Sequence, residues 1–159
     1  MSIIYSAIGV IHSPFHDIEN VPIQPAGAVG VRGILEIDSR YGPGLKDLEG
    51  FSHILVLYHF HLARQYRLVV TPFLDCRPHG VFATRAPARP NAIGLSVLRL
   101  LSVRGTVLEV ENVDIVDGTP LLDIKPYAPQ FDHFEVERIG WLAGSAADVS
   151  SQRSDGRFR

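Results

Sequence analysis

The residue types best suited to ligand chemistry lie in the segment GVFATRAPARPNAIGLS, residues 80–96. It holds Arg85, Arg89 and Asn91 around Pro87 and Pro90, and proline lowers the entropy cost of keeping neighbouring polar groups in place. Arginine fits carboxylate and phosphate groups through two parallel hydrogen bonds. The segment therefore predicts a rigid ligand-binding loop. The plainer alternative is a solvated arginine-rich loop.

The charge pattern around this loop is uneven. No Asp or Glu occurs between Cys76 and Leu108, whereas five arginines do: Arg77, Arg85, Arg89, Arg99 and Arg104. The formal net charge of −2 argues against a uniformly basic nucleic-acid-binding coat. A local positive stretch in a slightly acidic protein favours an anionic ligand. Codon bias of the source genome is the alternative explanation for the many arginines.

A second polar cluster follows in ENVDIVDGTPLLDIKPY, residues 111–127. Its charged and aromatic members are Asp114, Asp117, Asp123, Lys125 and Tyr127. Carboxylates here and arginines in the preceding loop would suit a ligand that carries both charges. Turn chemistry is the alternative for Asp117, because Asp-Gly pairs are typical of tight turns.

Histidine and cysteine offer two further possibilities. His59 and His61 lie two residues apart on a predicted strand and so share a face, with His53 upstream. Such spacing is compatible with zinc, but packed or pocket-lining histidines explain it better, and we expect no metal. Cys76, the single cysteine, lacks an identifiable base and is interpreted as structural or incidental rather than as a nucleophile.

The elements that must position these residues are short and β-rich. Apolar or alternating segments predict strands at residues 3–12, 29–37, 52–60, 66–71, 93–103, 107–113, 121–127 and 134–142, with a short strand at 81–83. Residues 17–28 predict a loop, and LKDLEGF (45–51) predicts a helical turn or two. Evenly spaced strands without a long amphipathic helix predict an all-β fold, a single small β-barrel with short helical turns.

A dinucleotide-binding fold is excluded by context. Gly27, Gly30 and Gly33 have a superficially suitable spacing, but a Rossmann fingerprint needs a strand before it and a helix after it. Here a proline-rich loop precedes and a predicted strand follows.

Length and composition predict one domain. The 159 residues suit a barrel at 1–142 and a disordered polar tail at 143–159. A single cysteine indicates a reducing compartment, so we expect a cytoplasmic protein. No leader pattern is seen, and no apolar run reaches the ~18 residues of a membrane span.

Five motifs, taken in order, resemble the TrmO family, also called TsaA-like or UPF0066-like. They are IGVIHSPF (8–15), VPIQPAG (21–27), LEGFSHILVLYHFH (48–61), GVFATRAPARPNAIGLS (80–96) and VDGTPLLDIKPY (116–127). The resemblance implies a non-Rossmann β-barrel that binds S-adenosyl-L-methionine, forms a homodimer and N6-methylates threonylcarbamoyl-adenosine next to the anticodon of tRNA.

The resemblance also implies a cofactor site. Matched by motif, the cofactor-binding residues are Pro25, Ala26, Gly27, His61, Leu62, Arg85, Leu95, Asn112, Val113 and Asp114. The acceptor nitrogen is a weak nucleophile, so a base would help, and Asp114 or Asp117 is the hypothesis for it. Contacts to the substrate RNA in the anticodon loop are expected from Arg85, Arg89, Asn91, Lys125 and Tyr127. Base stacking is expected from Tyr58, Phe82 or Tyr127, although packing in the core is the favoured role of Phe82.

Departures from the family pattern leave other functions open. Bacterial members carry a further C-terminal domain, whereas about thirty residues follow the last motif here, so we expect a different tRNA-docking surface. The alternatives are a non-catalytic S-adenosylmethionine-binding module and a metalloenzyme using His53, His59 and His61.

Overall fold

The protein is described by a computed structural model that covers residues 1–144 and 151–158. Within these ranges the chain forms eight strands and one short α-helix. They are β1 (Gly9–His12), β2 (Arg32–Ile37), β3 (His53–His59), β4 (Val69–Val70), β5 (His79–Gly80), β6 (Ile93–Arg104), β7 (Val107–Glu111), β8 (Thr119–Pro126) and α1 (Pro129–Asp132). Short 3-10 helices occur at Pro25–Gly27, Ser39–Leu45, Leu48–Gly50, Val81–Ala83, Gly140–Gly144 and Gly156–Phe158.

Six of the strands close into an antiparallel barrel in the order β1-β2-β7-β6-β3-β8, with β8 pairing back to β1. Closure leaves no open sheet edge, which removes a common route to aggregation. Strands β4 and β5 form a separate two-stranded sheet. The predicted all-β barrel is therefore confirmed.

The barrel interior is filled by alternate residues of each strand. Along β3, Ile54, Val56 and Tyr58 are buried while their neighbours are not. Long runs of β-branched and leucine residues suit such a pleated surface. The inward set includes Ile11, Leu35, Leu98, Leu108, Val110 and Leu121, each with no exposed surface.

Several predicted strand limits need correction. Residues 134–142 are not a strand, and Phe134, Val136 and Ile139 are exposed by 74%, 65% and 48%. Their sequence alternates, but no neighbouring strand pairs with them in the described structure. The first strand begins at Gly9 rather than residue 3, the segment 66–71 contributes only β4, and the expected strand at 81–83 is a 3-10 helix.

The C-terminal segment also differs from its prediction as a disordered tail over 143–159. Residues 145–150 and 159 lie outside the described ranges. Residues 151–158 pack onto the body: Pro22 bridges to Arg153, and Ser154 exchanges hydrogen bonds with the backbone of Ile18 and Val21. The mostly polar composition of this segment led to the prediction of disorder, although Phe158 packs at its end.

Phe158 closes a small apolar cluster beside the barrel, formed with Val70, Val81, Ala86, Ala88 and Phe73. Its ring meets that of Phe73 edge-on at 5.2 Å. We expect Phe158→Ala to lower the free energy of unfolding by about 2 kcal/mol, measured in urea, because a buried ring leaves a cavity. Phe131→Ala is the matched control, since Phe131 is 74% exposed. Equal effects of the two substitutions would contradict the packing described.

No helix among the described residues is long and apolar enough to cross a lipid bilayer.

Candidate functional site

A cavity of about 730 Å³ opens at one end of the barrel. It is lined by the end of β3, the start of β6 and the loop between β7 and β8. The loops around residues 18–24 and 82–89 and the C-terminal segment line it as well. Its walls are mainly apolar, and its polar side chains include Gln24, His61, Arg85 and Asp114. An apolar cavity of this size with a few convergent polar groups is typical of a small-molecule site.

Asp114 is the polar group most altered by the cavity. Burial raises the pKa of its carboxyl from 3.8 to about 7, against the opposing effects of a hydrogen bond from Ser96 and the positive charge of Arg85. The Ser96 hydroxyl donates to Asp114 Oδ1 at 2.7 Å. The Asp114 carboxyl therefore loses its proton near neutral pH. A carboxylate that titrates in this range is well suited to accept a hydrogen bond from a ligand or to act as a base.

Tyr58 and Ser96 lie behind Asp114 in the barrel wall. The Tyr58 hydroxyl is 3.1 Å from Ser96 Oγ, and the two residues are only 6% and 2% exposed. Tyr58 pairs directly with Gly94 across β3 and β6, and its ring occupies the space that a side chain at position 94 would need. A residue without a side chain is therefore required opposite Tyr58.

Hydrogen bonds hold the arginine-rich loop together, and its two arginines make different contacts. Arg89 Nη1 donates to the backbone carbonyls of Val81, Thr84 and Ala86 at 3.2, 2.8 and 3.2 Å. These three hydrogen bonds tie the loop together from within, and the expected contact of Arg89 with an RNA phosphate stays a prediction. Arg85 is exposed and its Nη1 donates to Gln24 Oε1 at 2.8 Å. Both arginines line the cavity, and Arg85 is the more exposed of the two.

Of the other predicted cofactor-binding residues, some line the cavity and others lie next to residues that do. His61, Leu62 and Leu95 line it. Pro25–Gly27 form a 3-10 turn directly after Gln24. Asn112 has a left-handed backbone (φ 69°), and its side chain accepts a hydrogen bond from the Gly30 backbone. Val113 is fully buried in the core. These residues fix the loop that carries Gln24 and the segment that carries Asp114.

Four more of the predicted residues, Asp117, Lys125, Tyr127 and Asn91, lie outside the cavity lining. Asp117 is turned toward the β1–β2 connection, where it accepts from the Ser13 backbone at 3.1 Å and contacts His12 at 3.3 Å. Both contacts lower the pKa of Asp117, and the hydrogen bond from the Ser13 backbone has the larger effect. Lys125 and Tyr127 follow β8 to the opposite end of the barrel, near His53. Asn91 is exposed in the connection to β6. The structure thus separates Asp117 from Asp114.

The histidines of the metalloenzyme alternative are not brought together. His53 and His59 stand at opposite ends of β3, and His61 contacts Thr119 Oγ1 at 3.3 Å. Burial, followed by the charge of His59, lowers the pKa of His61. Residues 1–144 and 151–158 contain no group of three or more His, Cys, Asp or Glu side chains placed to hold a metal ion.

Several lining residues were not predicted as such. Phe82, for which core packing was favoured over base stacking, is 76% exposed at the cavity. Trp141 also lines the cavity, donates from Nε1 to the Ala83 carbonyl at 2.8 Å and stacks on His79 at 4.7 Å. Ser154 and Phe158 reach it from the C-terminal segment. A lone tryptophan after the last barrel strand was the available signal for Trp141.

Comparisons with known proteins all point to one family. The profile of the tRNA-methyltransferase O N-terminal domain matches residues 10–133. A probable S-adenosyl-L-methionine-binding protein of Pyrococcus abyssi is 52% identical over 158 residues, which cover 99% of this chain and 86% of that protein. The tRNA (adenine(37)-N6)-methyltransferase of Escherichia coli is 38% identical over 135 residues, 79% of this chain and 57% of that protein.

A solved structure shares the fold. The crystal structure of TrmO from Pseudomonas aeruginosa superposes with a TM-score of 0.74 at 39% identity, covering 89% of this chain and 63% of that one. The chain thus spans about three fifths of the bacterial proteins and most of the archaeal relative.

Proposed function

This chain belongs to the TrmO family, and on that premise we propose that it binds S-adenosyl-L-methionine and methylates tRNA. The observation that carries the proposal is that the Asp114 carboxyl and the Arg85 side chain line the same, mainly apolar cavity. A ligand with a negatively charged group, a positively charged group and a flat nucleobase matches these charges and the apolar walls.

The residues present fit this cofactor. Arg85 suits a carboxylate through its planar donor fork, and the Gln24 side chain fixes its direction. Asp114 suits an amino or hydroxyl donor. Leu62, Leu95 and the exposed ring of Phe82 supply apolar surface for a nucleoside base. His61 adds a polar group just after β3. The lowered pKa of His61 favours its neutral ring.

For the finer reaction we propose N6-methylation of threonylcarbamoyl-adenosine in the anticodon loop. The bound cofactor supplies an electrophilic methyl group, so the protein mainly has to align donor and acceptor. Asp114 is the candidate base for the N6 proton, because its carboxyl lines the cavity and its raised pKa of about 7 makes the ionised form a stronger proton acceptor than an ordinary carboxylate. Asp117 is less suitable, since its hydrogen bonds direct it elsewhere.

The remaining partners follow from the same proposal. A single-stranded anticodon loop presents unstacked bases that aromatic side chains can stack on, and Phe82 and Tyr66, 76% and 60% exposed, are available for this. Arg85, Arg89 and Lys125 would add salt-dependent contacts to RNA phosphates. We further propose a homodimer acting in the cytoplasm.

The single tryptophan of the chain provides a direct binding assay. Because Trp141 lines the cavity, titration with S-adenosylmethionine is expected to change its emission, and Trp141→Phe to remove the signal without removing binding measured by calorimetry. Arg85→Ala is expected to weaken the affinity about tenfold through loss of a charged hydrogen bond. Arg104→Ala, a substitution on the far end of β6, serves as control. Unchanged affinity in Arg85→Ala would contradict the assigned role.

The test of the whole proposal is methyl transfer from labelled cofactor into tRNA with and without threonylcarbamoyl-adenosine. Transfer only to the modified tRNA is expected. Transfer to both would refute the finer substrate. Transfer to neither, with cofactor binding intact, would favour a non-catalytic binding module.

A further inference from the structure

Three polar side chains form a continuous line from the barrel wall to the cavity. Tyr58 on β3, Ser96 on β6 and Asp114 on the β7–β8 loop are joined by contacts of 3.1 Å and 2.7 Å. They are separated by 38 and 18 positions in sequence, so the barrel register alone brings them together. Tyr58 and Asp114 line the cavity, whereas Ser96 stands between them.

The direction of the hydrogen bonds is fixed by counting protons. A serine hydroxyl has one proton, and Ser96 donates it to Asp114 Oδ1. Ser96 Oγ must then accept from the Tyr58 hydroxyl. Tyr58 and Ser96 are only 6% and 2% exposed, so little solvent reaches the contact between their hydroxyl groups. While Asp114 is ionised, the hydrogen bonds therefore run in one direction: the Tyr58 hydroxyl donates to Ser96 Oγ, and the Ser96 hydroxyl donates to the Asp114 carboxylate.

We propose that Tyr58 and Ser96 are positioning residues that hold Asp114 as a hydrogen-bond acceptor in the cavity and set the pH above which the cavity binds its cofactor. The proposal rests on the function proposed above and deepens it. Neither hydroxyl needs to touch the cofactor. Each acts by favouring the charged form of Asp114 and by fixing one of its oxygens, which leaves the carboxylate's other acceptor positions for a ligand.

The charged surroundings of Asp114 are consistent with this role. Arg85, on the arginine loop, favours the charged carboxylate. His61, after β3, and Asp155, on the C-terminal segment, line the same cavity, and Arg89 is occupied by backbone carbonyls. Burial opposes ionisation and raises the pKa of Tyr58 as well, with help from the charge of Asp114. Tyr58 therefore stays a donor throughout the physiological range.

The experiment titrates Asp114 directly. Carboxyl ¹³C NMR of the cofactor-free protein is recorded from pH 5 to 9 for wild type, Ser96→Ala and Tyr58→Phe. Removing a donor to the carboxylate penalises its charged form, so the Asp114 midpoint is expected to rise by about one pH unit in Ser96→Ala. A smaller rise is expected in Tyr58→Phe, which keeps the ring and loses only the hydroxyl.

The matched control is Ser102→Ala. Ser102 is on the same strand and donates to Glu109 at 3.1 Å, but it does not line the cavity. Its removal is expected to leave the Asp114 midpoint unchanged. Equal midpoints in wild type, Ser96→Ala and Tyr58→Phe would overturn the proposal, whether or not the cofactor binds.

Calorimetry with S-adenosylmethionine over the same pH range separates this proposal from the proposed function. The wild-type affinity is expected to increase through pH 7. In Ser96→Ala it is expected to be about fivefold weaker at pH 7 and to approach wild type at pH 9, which follows from a one-unit displacement of the midpoint. Wild type that fails to bind refutes the proposed function alone. Binding with identical pH profiles in wild type and Ser96→Ala refutes the role of the hydroxyl chain.

Discussion

Asp114→Asn is expected to lose most of its affinity for S-adenosylmethionine and at the same time to become more stable at pH 8. Loss of a charged hydrogen-bond acceptor costs roughly 10- to 100-fold in affinity. The gain in stability has a separate cause. Burial raises the pKa of Asp114 from 3.8 to about 7, so the folded protein binds this proton more tightly than the unfolded chain.

The stabilising effect of that proton has a definite pH range. It is fully present below about pH 4 and is lost as pH rises to about 7, after which the wild type carries the whole cost of a buried charge. Asparagine has no such charge. We therefore expect the variant's stability relative to wild type to rise between pH 4 and 7 and to level off by pH 8, with a total change of about 4 kcal/mol, since one pKa unit corresponds to about 1.4 kcal/mol. Urea unfolding at several pH values measures this change.

Asp123→Asn is the control for this prediction. Asp123 pairs with Lys125 at 2.7 Å, and both side chains are about half exposed. Such a pair contributes little to stability, so its loss should change the unfolding free energy by less than about 0.5 kcal/mol with no comparable pH profile. An Asp114→Asn protein that is less stable than wild type at pH 8 would contradict the assigned burial.

Gly94→Ala is expected to lower the free energy of unfolding by about 3 kcal/mol and to impair cofactor binding. A methyl group at position 94 would overlap ring atoms of Tyr58, which is held between β3 and the cavity with 6% exposure. The ring would have to move, which breaks its contact with Ser96 and disturbs the wall behind Asp114.

A double-mutant cycle tests whether Tyr58 is the cause. Tyr58→Ala alone is expected to be destabilising because it leaves a cavity, but adding Gly94→Ala to it should cost almost nothing more, since the clashing ring is gone. Gly80→Ala is the matched control, because Gly80 has φ −59° and no atom within 4 Å of an added Cβ. Additive effects at positions 58 and 94 would show that the ring is not what excludes the methyl group.

The candidate site was only partly predictable. Local rigidity in the arginine loop was visible because prolines at 87 and 90 restrict the backbone whatever surrounds them. The different tasks of Arg85 and Arg89 were not visible, because they depend on which backbone carbonyls the folded loop turns toward each side chain. Likewise, Asp114 and Asp117 are three residues apart, yet one lines the cavity and the other turns to Ser13.

The sequence by itself determined the elements of this protein: strand periodicity, the proline-bounded loop, the family motifs and the absence of a dinucleotide-binding pattern. These features are local, and a few adjacent residues suffice to specify them. The tertiary structure alone decided that residues 134–142 are no strand, that the C-terminal segment packs onto the barrel, and that Tyr58, Ser96 and Asp114 meet. Such contacts depend on the register in which distant strands pair when the barrel closes, and neighbouring residues carry no record of that register.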